Sequence, residues 1–364
     1  MIRVRLGTVL SVTERNAHIE QLQVSCEESI VPAVNYPELT GSAAPGDQVI
    51  LNTTAVYLNL GTGGFHFVMA ICGKERDIDR SVPGHIMKLR YTPLQVRVSA
   101  IEEEESPYHE AMCAAADLQG MPVAVATVHS LIAPFAIAFK NSASRMKLAY
   151  IMTDGAALPL AWSHLVRRLR QEGLIDITIT CGHAFGGEVE AVTFYSALHA
   201  AHQVLECRAC IVAMGPGVVG TGTPLGTTAL EQAFLLDAAG ILGARQIAVP
   251  RLSFADPRPR HRGLSHHTLT VLGRLTQRPA YVCLPHLEPP LQQELERLVD
   301  EAGFAHRHRL IWQHPGDYLA EFARSGIALQ SMGRTPEEDP AFFAAGAAAG
   351  KLAAAWCLEK VSRP

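Results

Sequence analysis

A chain of 364 residues, 48% hydrophobic and 18% charged, can bury the cores of about two domains, which excludes a disordered or fibrous protein. Its formal charge of −4 gives no global basic field, so bulk electrostatics point to neither nucleic acid nor an anionic membrane. Eight cysteines scattered over so long a chain are not a disulfide scaffold, and the opening MIRVRLGTVLSV is no signal layout. The expectation is a cytoplasmic protein with free thiols. No membrane span is expected, because no uninterrupted apolar run reaches roughly 18 residues. The alanine-rich stretch 342–358 comes nearest, but Gly346, Gly350 and Lys351 interrupt it, and it reads as a packed terminal helix.

Residues 1–90 read as a small, mainly β, barrel-like domain. Val4, Leu6, Thr8 and Leu10 alternate with other types. The turn signal Pro45-Gly46-Asp47 leads into a strand QVILNTTAVYL, and the glycine-rich turn at 61–64 precedes FHFVMAI. Residues 91–120 read as a connection. They hold one strand around Val96 and Val98, an acidic run from Glu102 to Glu105 read as a solvated turn, and a helix from Tyr108 to Leu118.

The pattern changes at residue 121. MPVAVATV, KLAYIMT, DITITC, ACIVAM, RQIAVP, AYVCLP and RLIWQ are apolar runs, each followed by an amphipathic helical stretch. That alternation predicts an α/β domain over 121–364, a parallel sheet of up to seven strands with helices on both faces. The crossovers should be right-handed.

In an open parallel sheet, ligands bind beyond the carboxyl ends of the strands. Residues that stand there become the candidates. Asp154 follows the second strand and His183 the third, and together they could handle protons as an acid/base pair. Asp154 could instead only cap the following helix. The fourth strand runs into MGPGVVGTGTPLG, where Gly215, Gly217, Gly220 and Gly222 could present bare backbone N–H groups to an anion. A tight structural turn is the alternative. The loop departs from the dinucleotide pattern, since its third glycine does not open the helix, and no lysine follows for a Walker loop.

The fifth strand delivers Arg251 and Ser253, then Asp256, Arg258, Arg260, His261 and Arg262. His266 and His267 start a helix after Ser265. Adjacent helical residues point about 100° apart, so at most one of the pair is expected to face the cleft. His267 is taken as catalytic with Asp154 and His183; His266, Arg251, Ser253 and the glycines are taken as ligand-binding. No metal site is assigned. His199-x-x-His202 and Cys207-x-x-Cys210 have zinc-like spacing, but they fall on a helix and at the start of a buried strand.

The phrases NTTAVYLNLGTGGFHFV, YIMTDGAALPLAWSHLVRRL, TCGHAFGGEVEAVTFYSAL, MGPGVVGTGTPLG and RLSFADPRPRHRGLSHHTL resemble an uncharacterised bacterial family of about this length, known only as a domain of unknown function. The resemblance covers most of the chain and implies no activity, so it assigns no role to any residue.

Two functional readings remain open. One is an enzyme acting on a small anionic metabolite, which could be phosphorylated, by acid/base or hydrolytic chemistry, its cofactor unknown. The other is a non-catalytic small-molecule-binding or regulatory protein. Nucleic-acid binding ranks last, because residues 1–90 have few aromatics and no basic cluster.

Overall fold

The computed structural model describes residues 1–61 and 63–361; Thr62, in the second turn signal, lies outside the described residues. The chain forms two compact units. One holds residues 1–83 and 89–97, the other residues 84–88 and the chain from Val98 onward.

The first unit is a closed barrel of strands β1 (Val4–Arg15), β2 (Glu20–Cys26), β3 (Ser29–Asn35), β4 (Gln48–Asn52) and β5 (His66–Ile71), in the order β1-β2-β3-β5-β4. Helices α1 (Pro37–Thr40) and α2 (Thr54–Tyr57) cross between strands. Val9, Leu22, Val24, Ala33, Val49, Leu51 and Val68 fill the interior. The alternation at Val4, Leu6 and Leu10 marks the outer face, with Leu6 57% exposed and Val9 the inward residue. The strand expected through Leu58 stops at Asn52. There the Asn52 carboxamide oxygen accepts from the Thr54 amide at 3.1 Å, Thr53 N–H donates to Arg3 O, and α2 begins.

Short strands β6 (Ile86–Lys88) and β7 (Val96–Val98) follow, then a helix α3 (His109–Met112) of one turn. The helix expected through Leu118 is cut short. Leu118 and Gly120 donate instead to Leu242 O and Gly243 O, so the segment is held to the chain that follows a later helix.

The second unit is built on eight parallel strands: β8 (Pro122–Ala126), β9 (Leu148–Thr153), β10 (Ile177–Thr180), β11 (Val189–Glu190), β12 (Ala209–Met214), β13 (Arg245–Val249), β16 (Tyr281–Pro285) and β17 (Arg309–Gln313). Their order is β11-β10-β9-β12-β8-β13-β16-β17. The strand beyond the seven expected is β11, two residues paired beside Ile179 and Thr180. A two-stranded ribbon, β14 (Leu252–Ser253) with β15 (Gly263–Leu264), interrupts the path after β13.

Strand residues alternate between two cores, as the two-residue period of a β-strand requires. Tyr150, Ile211 and Ile247 pack on one face with helices α4 (Ile132–Ser142), α5 (His164–Gln171), α10 (Tyr318–Ser325) and α11 (Pro340–Val361). Ile151, Val212 and Ala248 pack on the other with α6 (Phe194–His199), α7 (Glu231–Ile241) and α9 (Leu291–Ala302). A short helix α8 (His266–Thr270) leads into Val271 and Leu272 on that second face.

Helix α11 is long and apolar enough to cross a membrane, but 83% of its apolar window is buried within the protein. It lies along α4. A Cβ added at Gly350 would meet Phe135 O at 2.3 Å, and one at Gly346 would meet Pro134 at 2.6 Å. Both glycines are therefore explained by close helix packing.

Candidate functional site

The order of the strands decides where a crevice can open. From β8 the chain crosses the first face through α4 to β9. From β12 it crosses the second face through α7 to β13, on the other side of β8. Opposite walks on opposite faces are what a single crossover hand requires. Neighbouring strands β8 and β12 thus send the chain apart, and the space beyond their carboxyl ends is left open. A cavity of about 480 Å³ lies there. It is bordered by Val128–Ser130 after β8, by Pro216–Val218, Gly220 and Gly222 after β12, and by Arg251 and Ser253 after β13.

Its charge comes from an arginine cluster. Arg251, Arg258, Arg260 and Arg334 line the cavity. Buried Asp256 receives Arg258 through both carboxylate oxygens, at 2.9 and 2.8 Å, and Arg251 at 3.3 Å, with Arg334 at 3.6 Å. The Arg258 guanidinium, first among these contacts, holds the Asp256 carboxyl well below the usual carboxylate range. Buried Asp339 accepts from Ser253 Oγ at 2.6 Å and from Arg334 at 3.1 Å. The ribbon β14–β15 carries this loop, and Arg251 anchors it through its amide to Thr268 Oγ1 and its carbonyl to Ser265 N–H. Two carboxylates hold three of the four guanidiniums, and neither carboxylate borders the cavity.

Three histidines stand beside the arginines. The rings of His266 and His267 are 4.2 Å apart, and each is 5.0 Å from that of His261. All three line the cavity. The expectation that only one of His266 and His267 would face the cleft is corrected. They occupy the first two positions of α8, where no preceding turn screens either ring, and both reach the same space. Burial, then the nearby charges, pushes His261 down to about 3 and His267 to about 4; His266 is lowered for the same reasons. At neutral pH all three are uncharged bases.

The glycine loop divides into structural and lining parts. A Cβ at Gly215 would fall 2.3 Å from Ala157 O, so this glycine permits backbone contact and does not line the cavity. Gly217, Gly220 and Gly222 do line it, and Gly217 has φ +108°. Four amides beside these glycines are bonded within the loop and its flank. Thr221 N–H donates to Gly226 O, Thr228 N–H to Val219 O, Val219 N–H to Thr228 Oγ1 and Gly226 N–H to Thr223 Oγ1. The helix after it, α7, does not border the cavity either; helix residues that do are Leu165 of α5, His266 and His267 of α8, and Phe342 of α11.

Asp154 and His183 stand at the same sheet edge but outside this cavity. They follow β9 and β10, and β12 with its loop lies between them and β8. The loop after β9 seals that side, with Ala157 N–H donating to Pro216 O at 3.2 Å. Asp154 accepts from the backbone N–H of His183 at 2.9 Å, so it caps the turn after β10. Beside it, buried Glu231 accepts from Thr153 Oγ1 at 2.7 Å. Burial, with the Asp154 charge adding, raises Glu231 to about 7.

Several residues had no sequence signal strong enough to select them. His129 Nδ1 bonds Met214 O at 3.1 Å and its Nε2 bonds Ser163 Oγ at 2.7 Å, while Ser163 also caps α5. Arg334 and Asp339 enter from the chain between α10 and α11. His261 was visible only as one member of a basic loop. Among the described residues, His199, His202, Cys207 and Cys210 do not form a ligand group; His199 Nε2 instead bonds Ala111 O at 3.2 Å.

No curated protein matches the sequence. A family model matches residues 32–350, across both compact units and the whole of the cavity lining. The chain therefore belongs to the family described as protein of unknown function DUF3866.

Proposed function

We propose that the cavity binds a small metabolite carrying phosphate or carboxylate groups, and that the protein is a cytoplasmic enzyme acting on it by acid/base or hydrolytic chemistry. The observation that carries the reading is the arrangement of four guanidiniums at one cavity, three of them (Arg251, Arg258 and Arg334) held by two carboxylates that do not border it. Planar guanidinium forks match the oxygens of phosphate and carboxylate, and a partly desolvated cavity strengthens that attraction. The volume suits a metabolite and not a polymer. Neutral His267 and His266, at the same wall, are the groups able to accept a proton from a bound substrate.

Calorimetric titration with inorganic phosphate, sulfate and citrate at low ionic strength tests the binding. The wild-type protein should bind at least one of them, and Arg258→Gln should weaken binding about tenfold while the protein stays folded. Absence of binding by the wild type overturns the reading. For the chemistry, a panel of phosphate and carboxylate esters is assayed with His267→Gln. Turnover lost with anion binding retained supports an enzyme, whereas anion binding without turnover of any ester favours a non-catalytic binding protein.

A further inference from the structure

We propose that His261, His266 and His267 hold a divalent transition-metal ion of the zinc class at the wall of the cavity. One ligand atom from each of the three lies within 4.8 Å of those of the other two. Nitrogens sharing one tetrahedral zinc at ~2.0–2.1 Å lie about 3.3 Å apart, so small side-chain rotations close the set. Three imidazoles suit zinc and its first-row neighbours better than magnesium or calcium, which take oxygen.

A second observation comes from the atoms themselves. His266 Nε2 and His267 Nδ1 are buried and have no hydrogen-bond partner, and the His267 side chain is 3% exposed. A buried polar nitrogen left unbonded costs free energy. A metal ion would satisfy both at once.

The third ring is oriented from behind. His261 Nδ1 lies 2.8 Å from Ser265 Oγ, and that oxygen also accepts the His267 amide at 3.3 Å. With Nδ1–H donating to Ser265, the lone pair of His261 Nε2 is left for a metal, the usual outer-shell arrangement for a ligating histidine. Arg251, Arg258 and Arg260 oppose a bare cation here; Asp256 offsets part of that field, and a bound anion would offset more. Three protein nitrogens leave a coordination position for water or for an oxygen of that anion, and with metal bound a water there would take over the proton-accepting role that His266 and His267 fill only in metal-free protein.

The metal site stands on imidazoles and the anion site on guanidiniums, so the two can fail separately. Chelator-treated full-length protein is titrated with Zn²⁺ and with Co²⁺, with and without sulfate, by calorimetry and by the visible spectrum of Co²⁺. The expected result is one ion per chain, with a Co²⁺ spectrum of low-coordinate nitrogen ligation. His267→Gln and His266→Ala should each weaken binding about 100-fold, while Arg258→Gln should retain it. His266 is only part-buried, so its variant serves if His267→Gln fails to fold. No stoichiometric binding by the folded wild type under either condition overturns the proposal, as does binding that survives the histidine changes. Sulfate binding to metal-free protein reports on the anion reading by itself.

Discussion

Arg258 closes on Asp256 with two parallel hydrogen bonds, Nε to one carboxylate oxygen at 2.9 Å and a terminal nitrogen to the other at 2.8 Å. The same carboxylate receives Arg251, whose side chain is only 8% exposed. One aspartate thus holds two guanidiniums at the cavity wall. Asp256→Asn should leave buried Arg251 without its charge partner and cost on the order of 2–3 kcal/mol. It should also make the cavity more cationic. The expected outcome is a lower melting temperature with unchanged or tighter phosphate binding, measured by calorimetry.

The same carboxylate sets an acid limb. Its folded pKa is depressed by Arg258, below the value of about 3.9 for an unfolded aspartate. Its contribution is fully present above that unfolded value and is lost as pH falls through the folded one. Melting curves of wild type and Asp256→Asn should therefore converge as pH is lowered below about 4.

Glu231 predicts the opposite slope. Its folded pKa of about 7 lies above the value of about 4.3 for an unfolded glutamate. Between the two, the folded state holds a proton that the unfolded state has lost, so stability falls as pH rises toward about 7 and then levels. Glu231→Gln keeps an acceptor for Thr153 and should flatten that slope. The gain at pH 8 should be roughly 2–3 kcal/mol, read from denaturant unfolding at pH 5 and pH 8.

Two glycines of the loop should separate conformation from access. Gly217 has φ +108° and open space where a Cβ would go, so Gly217→Ala should cost about 1–2 kcal/mol through strain alone. At Gly220 φ is ordinary, and an added Cβ would sit 3.7 Å from His267 Nε2. Gly220→Ala should leave the melting temperature nearly unchanged and weaken ligand binding beside His267. Equal loss of stability in both variants would refute the distinction.

Ser163 is asked to do two things: it accepts the Val166 amide at 3.1 Å as the cap of α5, and it partners His129 Nε2. Ser163→Ala should cost about 1–2 kcal/mol, more than an exposed cap, because His129 is left with a buried unpaired nitrogen. Ser163→Thr, which keeps the hydroxyl, should recover most of that loss in thermal unfolding.

Local pattern carried much of this protein. Apolar runs such as ACIVAM, alternating with helical stretches, are enough to specify a parallel sheet covered on both faces. The strand-end rule then reached Arg251, Ser253, Gly217, Gly220, Gly222, His266 and His267, all of which line one cavity. That rule works because a strand and the loop after it are contiguous in sequence. Strand order is not a local property. The insertion of β12 between β9 and β8 sets Asp154 and His183 apart from the cavity, and no periodicity in those segments records it. Arg334 and Asp339 join Asp256 from more than 70 residues away, and His261 meets His266 through the fold of a ribbon. Those contacts exist only because packing brings distant backbone together, so the pairing of Arg334 and Asp339 with this loop and the meeting of His261 with His266 and His267 were decided by the tertiary structure.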